Sequence, residues 1–200
     1  MPIAKSLGQP PNYYDPLTVW LHWVTAGLVL LLFGTAFTWN NWLPHDHFWR
    51  PLLQSTHVSL GILLAAVFIV RAIWRFTGGR NLPPELGIMG ILSQVMYLLL
   101  YLLLAIQVGL GFLLRWSQGE AFQFFGLFSI PSLLGPNKSM VRLIENLHNY
   151  AAWVIIALAA GHTLAALFHH YVLRDQILGR MLHPISPATA TPPARSSTLD

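Results

Sequence analysis

Four stretches of this chain are too long and too apolar to belong to a water-soluble domain. They run over residues 17–39, 55–75, 91–114 and 146–172. Each is close to or above the roughly 20 residues a helix needs to cross the hydrocarbon of a bilayer. No water is available there to satisfy backbone N–H and C=O groups, so a spanning stretch must satisfy them itself, as a helix does. Composition agrees. Only 9% of the residues are charged and mean hydropathy is +0.54, whereas soluble domains carry about 25% charged residues. The expected fold class is an all-α integral membrane protein, a bundle of four transmembrane helices.

The flanks fit that reading. Seven of the eight tryptophans, Trp20, Trp23, Trp39, Trp42, Trp49, Trp74 and Trp116, fall in loops or toward span ends, as an aromatic belt requires. Asp15 followed by Pro16 suits the start of the first helix, with Asp as N-cap and Pro in the first turn. The first span is too long, and too little positive charge precedes it, for a cleavable signal.

Four spans put both termini on one side. That side holds Lys5, Arg71, Arg75, Arg80, Arg174, Arg180 and Arg195; the other holds Arg50, Arg115, Lys138 and Arg142. The excess predicts both termini in the cytoplasm. Residues 1–14 form a tail, 15–182 the transmembrane unit, and 183–200 a Pro/Ser/Thr-rich tail expected to be disordered. Residues 76–90 and 40–54 make short connections. The longer loop 115–145 is rich in aromatic residues and glycine, which points to a segment lying at the membrane interface.

The chain contains no cysteine, which excludes disulfides, thiolate-held iron–sulfur clusters and covalently attached haem. A net charge of +4 and a pI near 9.8 reflect basic residues scattered over loops and helix ends. That is membrane topology, and nucleic acid is not an expected partner.

Histidine is the informative residue. Of nine, His45, His47 and His183 lie in loops, and His169 and His170 lie at the inner end of the last span. The remaining four, His22, His57, His148 and His162, lie within spans, where imidazoles usually face a cavity or a cofactor. His148 and His162 are fourteen residues apart. That is four turns less about 40°, so both rings leave one face of the helix, roughly 21 Å apart along its axis. With alternating helix direction, His57 and His148 share the outer half, and His22 and His162 the inner half. Two imidazoles on facing helices can hold one haem iron from opposite sides. The expectation is thus two b-type haems, with the last helix giving a ligand to each. Depth alone leaves His169 open as an alternative to His162, since seven residues return it to within about 20° of the same face. A zinc or copper site without haem wants three or four clustered ligands, and a proton path wants Asp or Glu within the spans. Gly61, Gly109, Gly111 and Gly161 suit close approach of a porphyrin or another helix. Arg71, on the His57 face at the inner end, suits either a haem propionate or the lipid interface.

The stretches "LTVWLHWVTAGLVLL", "STHVSLGILLAAVFIVRAIWRF" and "ENLHNYAAWVIIALAAGHTLAALFHHYVLRD" carry a resemblance. With the third span between them, residues 15 to about 182 resemble the prokaryotic cytochrome b561 family of four-helix, dihaem membrane proteins. The resemblance implies His22, His57, His148 and His162 as axial iron ligands and so favours His162 over His169. It also implies oxidation of superoxide at the outer face, with ubiquinone as electron acceptor. Eukaryotic b561 proteins have more helices and a different ligand arrangement.

Bis-histidine closure disfavours direct O₂ or peroxide chemistry and leaves outer-sphere electron transfer. Arg50, Arg115, Lys138 and Arg142 are candidates for steering an anionic donor. The other expectations are an electron-transfer subunit joining a separate dehydrogenase or redox protein to the quinone pool, and, outside redox chemistry, a haem carrier.

Overall fold

The structure is a computed structural model that describes residues 14–79, 82, 87–174 and 178–182. Most of both expected tails, with Lys5, Arg80, His183 and Arg195, lies outside the described residues.

The four apolar stretches are helices: α1 (Pro16–Asn41), α2 (Arg50–Thr77), α3 (Ile88–Ser117) and α4 (Lys138–Phe168). All four are long and apolar enough to cross a membrane. Each begins before its hydrophobic stretch, because the helix continues through the interface where polar residues are tolerated; α1, α2 and α3 also run past its end, while α4 stops at Phe168. The predicted start of α1 is as built. Asp15 accepts from the Thr18 N–H at 2.9 Å and from its hydroxyl at 2.6 Å, with Pro16 in the first turn. Asn137 caps α4 in the same way through the Met140 N–H. A π-turn over His169–Leu173 follows α4, and a single turn, α5 (Gly179–Leu182), follows that.

The bundle is two helical hairpins, α1 against α2 and α3 against α4. Each hairpin packs closely within itself, and much less contact joins one to the other. The four helices share one buried layer, made of Leu28, Leu64, Leu104 and Ile155, one residue from each. Leu64 follows His57 by seven residues, and Ile155 lies seven residues from both His148 and His162. The layer therefore sits about 10 Å from either histidine level.

Tryptophan N–H groups tie the end of the bundle that carries the chain termini. Trp74 Nε1 donates to Asp15 at 3.0 Å, and Trp23 Nε1 donates to the Met181 carbonyl at 2.9 Å.

The opposite end holds a feature absent from the sequence reading. Within the long 115–145 loop, β1 (Phe122–Phe124) and β2 (Phe128–Ile130) form an antiparallel hairpin with Phe122 opposite Ile130 and Phe124 opposite Phe128. The turn residues Phe125 and Gly126 have φ of 45° and 73°, and the Leu127 N–H closes the turn on the Phe124 carbonyl at 2.8 Å. Positive φ at both central positions gives the twist that hairpins favour, natural for glycine but strained by about 1–2 kcal/mol for phenylalanine.

Phe122 is buried against Phe112 and Trp116. Ser59 of α2, also buried, pins the turn: its hydroxyl accepts from the Phe125 N–H at 3.0 Å and lies 3.2 Å from the Gln123 carbonyl. Ser59→Ala leaves the Phe125 N–H without that acceptor, at a cost of about 1–3 kcal/mol. The expected outcome is faster amide exchange over 122–130, with exchange in α1 and α4 unchanged.

Candidate haem-binding sites

The four span histidines meet in two pairs. His57 of α2 faces His148 of α4 with ring centroids 6.3 Å apart and planes at 73°. His22 of α1 faces His162 of α4 at 6.4 Å and 68°. Each pair draws one ring from each helical hairpin, so both straddle the space between the hairpins. Two imidazoles sharing one metal from opposite sides each need a nitrogen about 2 Å from the metal, with the ring centre about 1 Å behind it, so ring centres near 6 Å apart. Both spacings fit. His169 is elsewhere: it opens the π-turn, and its ring meets Phe168 at 6.5 Å. Among the described residues there is no cluster of three or more His, Cys, Asp or Glu side chains that could hold a bare metal ion.

The first pair stands in a cavity of about 650 Å³, within the ~300–1,000 Å³ usual for cofactor pockets. Aromatic residues Phe33, Phe37, Trp39, Phe112 and Trp153 contribute to its wall. Gly61, on that wall, has nothing within 4 Å of where a Cβ would stand, so any side chain there would enter the cavity.

His57 is held by hydrogen bonds on one side of its ring. Its Nδ1 lies 3.1 Å from the Leu32 carbonyl and 3.1 Å from Thr35 Oγ1, and the Thr35 hydroxyl itself donates to Leu32 at 2.9 Å. A carbonyl only accepts, so Nδ1 carries the proton and Nε2 keeps its lone pair. That is the tautomer a metal-binding imidazole needs. The edge of Trp39 packs on the ring at 5.0 Å.

The second pair is more open. His162 is the most exposed of the four, and neighbouring Gly161 has open space about it. Arg71 reaches this pair, with Nη2 3.4 Å from His22 Nδ1 and the guanidinium 5.0 Å above the Tyr101 ring. A similar step follows toward the termini: Tyr97 lies 4.5 Å from Tyr101, and Arg75 sits 5.4 Å over Tyr97. Arg71 thus places a fixed cation beside the His22 level.

The basic residues of the hairpin end separate by role. Arg50 is used structurally: Nη1 donates to the carbonyls of Trp39 at 2.7 Å and Leu43 at 3.1 Å, closing the end of α1. Arg115 pairs with Glu120 at 3.0 Å and donates to Gln118 at 2.9 Å. Arg115, Lys138 and Arg142, with Glu120 and Glu145, line an open hollow of about 610 Å³. Its wall shares Gln54, Arg115, Gln118 and Glu145 with the histidine cavity.

Sequence reasoning passed over Gln107. It is the one polar side chain between Tyr101 and Arg115 on α3, the helix without histidine, and its Nε2 lies 3.2 Å from His148 Nε2. A lone amide in a span was the available signal.

A four-helix membrane bundle whose two helical hairpins meet across facing imidazole pairs defines a class, the integral membrane b-type cytochromes. The family model for prokaryotic cytochrome b561 matches residues 13–184. The chain belongs to that family, a family of membrane haem-b bundles. It is 29% identical to "Cytochrome b561 homolog 2" of Escherichia coli (strain K12), over 88% of this chain and 95% of that protein. It is 25% identical to the "Probable superoxide oxidase CybB" of Yersinia pestis, over 84% and 95%. It is 22% identical to the "Probable Ni/Fe-hydrogenase B-type cytochrome subunit" of Bradyrhizobium diazoefficiens, over 89% and 87%.

Proposed function

We propose that the chain is a dihaem superoxide:quinone oxidoreductase of the bacterial inner membrane, with both termini cytoplasmic. The observation that carries this reading is the pair of imidazole clamps at two levels of one bundle, at 6.3 and 6.4 Å. His57 and His148 hold the outer haem, His22 and His162 the inner one, and Arg71 offers its guanidinium to an inner haem propionate. When bound, the haems would supply one-electron carriers suited to outer-sphere transfer.

The protein supplies the rest. The Leu32 carbonyl keeps the His57 Nε2 free. Arg115, Lys138 and Arg142 make the outer hollow attractive to a small anion, and Glu120 limits that attraction by pairing with Arg115. Arg50 adds its charge at the same end while its guanidinium stays tied to the carbonyls of Trp39 and Leu43. Two superoxide ions each lose one electron and leave as O₂, and one ubiquinone gains two electrons and two protons to become ubiquinol. The similarity to a relative named as a probable superoxide oxidase supports this donor.

Superoxide added to the purified, oxidised protein is expected to produce the reduced low-spin b-type bands, and a soluble ubiquinone to discharge them. Absence of haem reduction by superoxide overturns the reading. A second reading, an electron-transfer subunit feeding quinone from a separate dehydrogenase, is favoured by the relative named as a hydrogenase cytochrome subunit. A redox enzyme that co-purifies and reduces the haems, with superoxide inert, selects it.

A further inference from the structure

The cavity around His57 and His148 has two unlike ends. Toward the middle of the bundle its wall is the apolar layer, with Leu64, Leu104 and Ile155. At the other end the wall is polar and comes from the outward stretches of all four helices: Asn40, Asn41, Gln54, Arg115, Gln118 and Asn149. A haem is unlike at its edges in the same sense, apolar at one and carrying two propionate carboxylates at the other. A carboxylate buried against the apolar layer is costly, so the charged edge belongs at the polar rim.

Among the described residues Arg115 is the one Lys or Arg on that wall. It follows Gly111 by four residues, and a Cβ at Gly111 would stand 3.4 Å from His148 Cε1. Arg115 therefore lies on nearly the same face of α3, roughly 6 Å outward of the His148 level. Its guanidinium is incompletely used. Of the five N–H donors of an arginine, Nη1 donates to Gln118 Oε1 at 2.9 Å and Nη2 pairs with Glu120 Oε2 at 3.0 Å. Nε is buried and has no partner among the described residues. Arg115 lines both the histidine cavity and the outer hollow, whereas Glu120 lines the hollow alone. Glu145, the one carboxylate on the cavity wall among the described residues, is exposed, so solvent screens it.

We propose that the outer haem stands with its propionates toward the polar rim and that Arg115 receives one of them, with Glu120 held on the hollow side of the same guanidinium. The proposal rests on the reading of His57 and His148 as the clamp of that haem. A guanidinium grips a carboxylate with two parallel N–H donors, which fixes orientation as well as charge. One side chain is then the partition between the outer hollow and the charged edge of the haem.

A cation fixed beside a propionate favours the added electron. Arg115→Gln is therefore expected to make reduction of the outer haem about tenfold harder in the one-electron equilibrium, a fall of about 59 mV. The propionate bending band in the resonance Raman spectrum is expected to shift as well, because a hydrogen-bond partner is lost. Arg115→Lys keeps the charge and loses the fork, so its potential is expected near that of the wild type and its band shifted. Arg142→Gln removes the same charge from the same hollow at a residue that does not line the histidine cavity, and its band is expected to stay in place. All are read on the purified holoprotein, the outer haem being the component lost in His57→Ala.

An unmoved band in Arg115→Gln overturns the proposal whatever the potential does. So does a potential that is unchanged or higher, or a band shift of equal size in Arg142→Gln. Should Arg115→Gln fail to hold the outer haem, Arg115→Lys decides: a shifted band supports the proposal and an unmoved one overturns it. His57→Ala tests the reading underneath. If that variant retains both haems, the clamp reading itself has failed. If it loses one while both Arg115 variants are silent, only the propionate role has failed.

Discussion

His148→Ala is expected to purify with one haem per chain where the dihaem reading gives two for the wild type, and the haem it lacks is expected to be the one missing from His57→Ala. His22→Ala and His162→Ala are expected to lose the other, and His169→Ala to keep both. These outcomes follow from the pair geometry: each ring has one partner at 6.3 or 6.4 Å, and the two pairs share no residue. Alanine would leave one imidazole and the surrounding packing to hold that haem. Pyridine haemochrome stoichiometry gives the count, and redox titration shows which component is gone. Equal loss of both haems in every variant would mean that the histidines act through the fold. Loss of the inner haem in His169→Ala would move the ligand from His162 to the π-turn.

Leu104→Ala is the second large effect, and it falls on the protein frame. Leu104 is 8% exposed and lies in the layer where all four helices meet. In water a buried Leu→Ala costs about 2–5 kcal/mol, part of it transfer free energy. Helices already surrounded by hydrocarbon gain little from transfer, so what remains is lost dispersion contact and the hole left behind. The expected cost is about 2 kcal/mol, read as a lowered thermal midpoint of haem release in detergent. Because the layer lies between the histidine levels, both haems are expected to be released together at the lower temperature. Leu102→Ala, two residues away on α3 and 54% exposed, is the control and is expected to leave the midpoint unchanged.

The spans were legible because a bilayer imposes length and apolarity without help from tertiary contacts. Both imidazole pairs were legible too. Alternating helix direction fixes depth, and His148 and His162 fall on one face of one helix. The β-hairpin was not legible. "FQFFGLFSI" has large apolar residues on both faces and so no alternation, and its turn is Phe-Gly where a hairpin is ordinarily announced by Asn-Gly. What holds it is Ser59, more than sixty residues away, a contact that no local pattern encodes. The hydrogen bonds of Arg50 were not legible either, because only the fold brings the carbonyls of Trp39 and Leu43 to it. Gln107 went unread because a span was scanned for ionisable groups, and an amide is none.

One helix gives a ring to each imidazole pair, and it is the last of the four to leave the ribosome. Until α4 has been inserted, His22 and His57 have no opposite number, so on the dihaem reading neither porphyrin could be gripped from both sides during synthesis. Cofactor loading would then be a late event. It would wait for the closing of the second helical hairpin onto the first, and a chain stalled before α4 would be left with half-sites only.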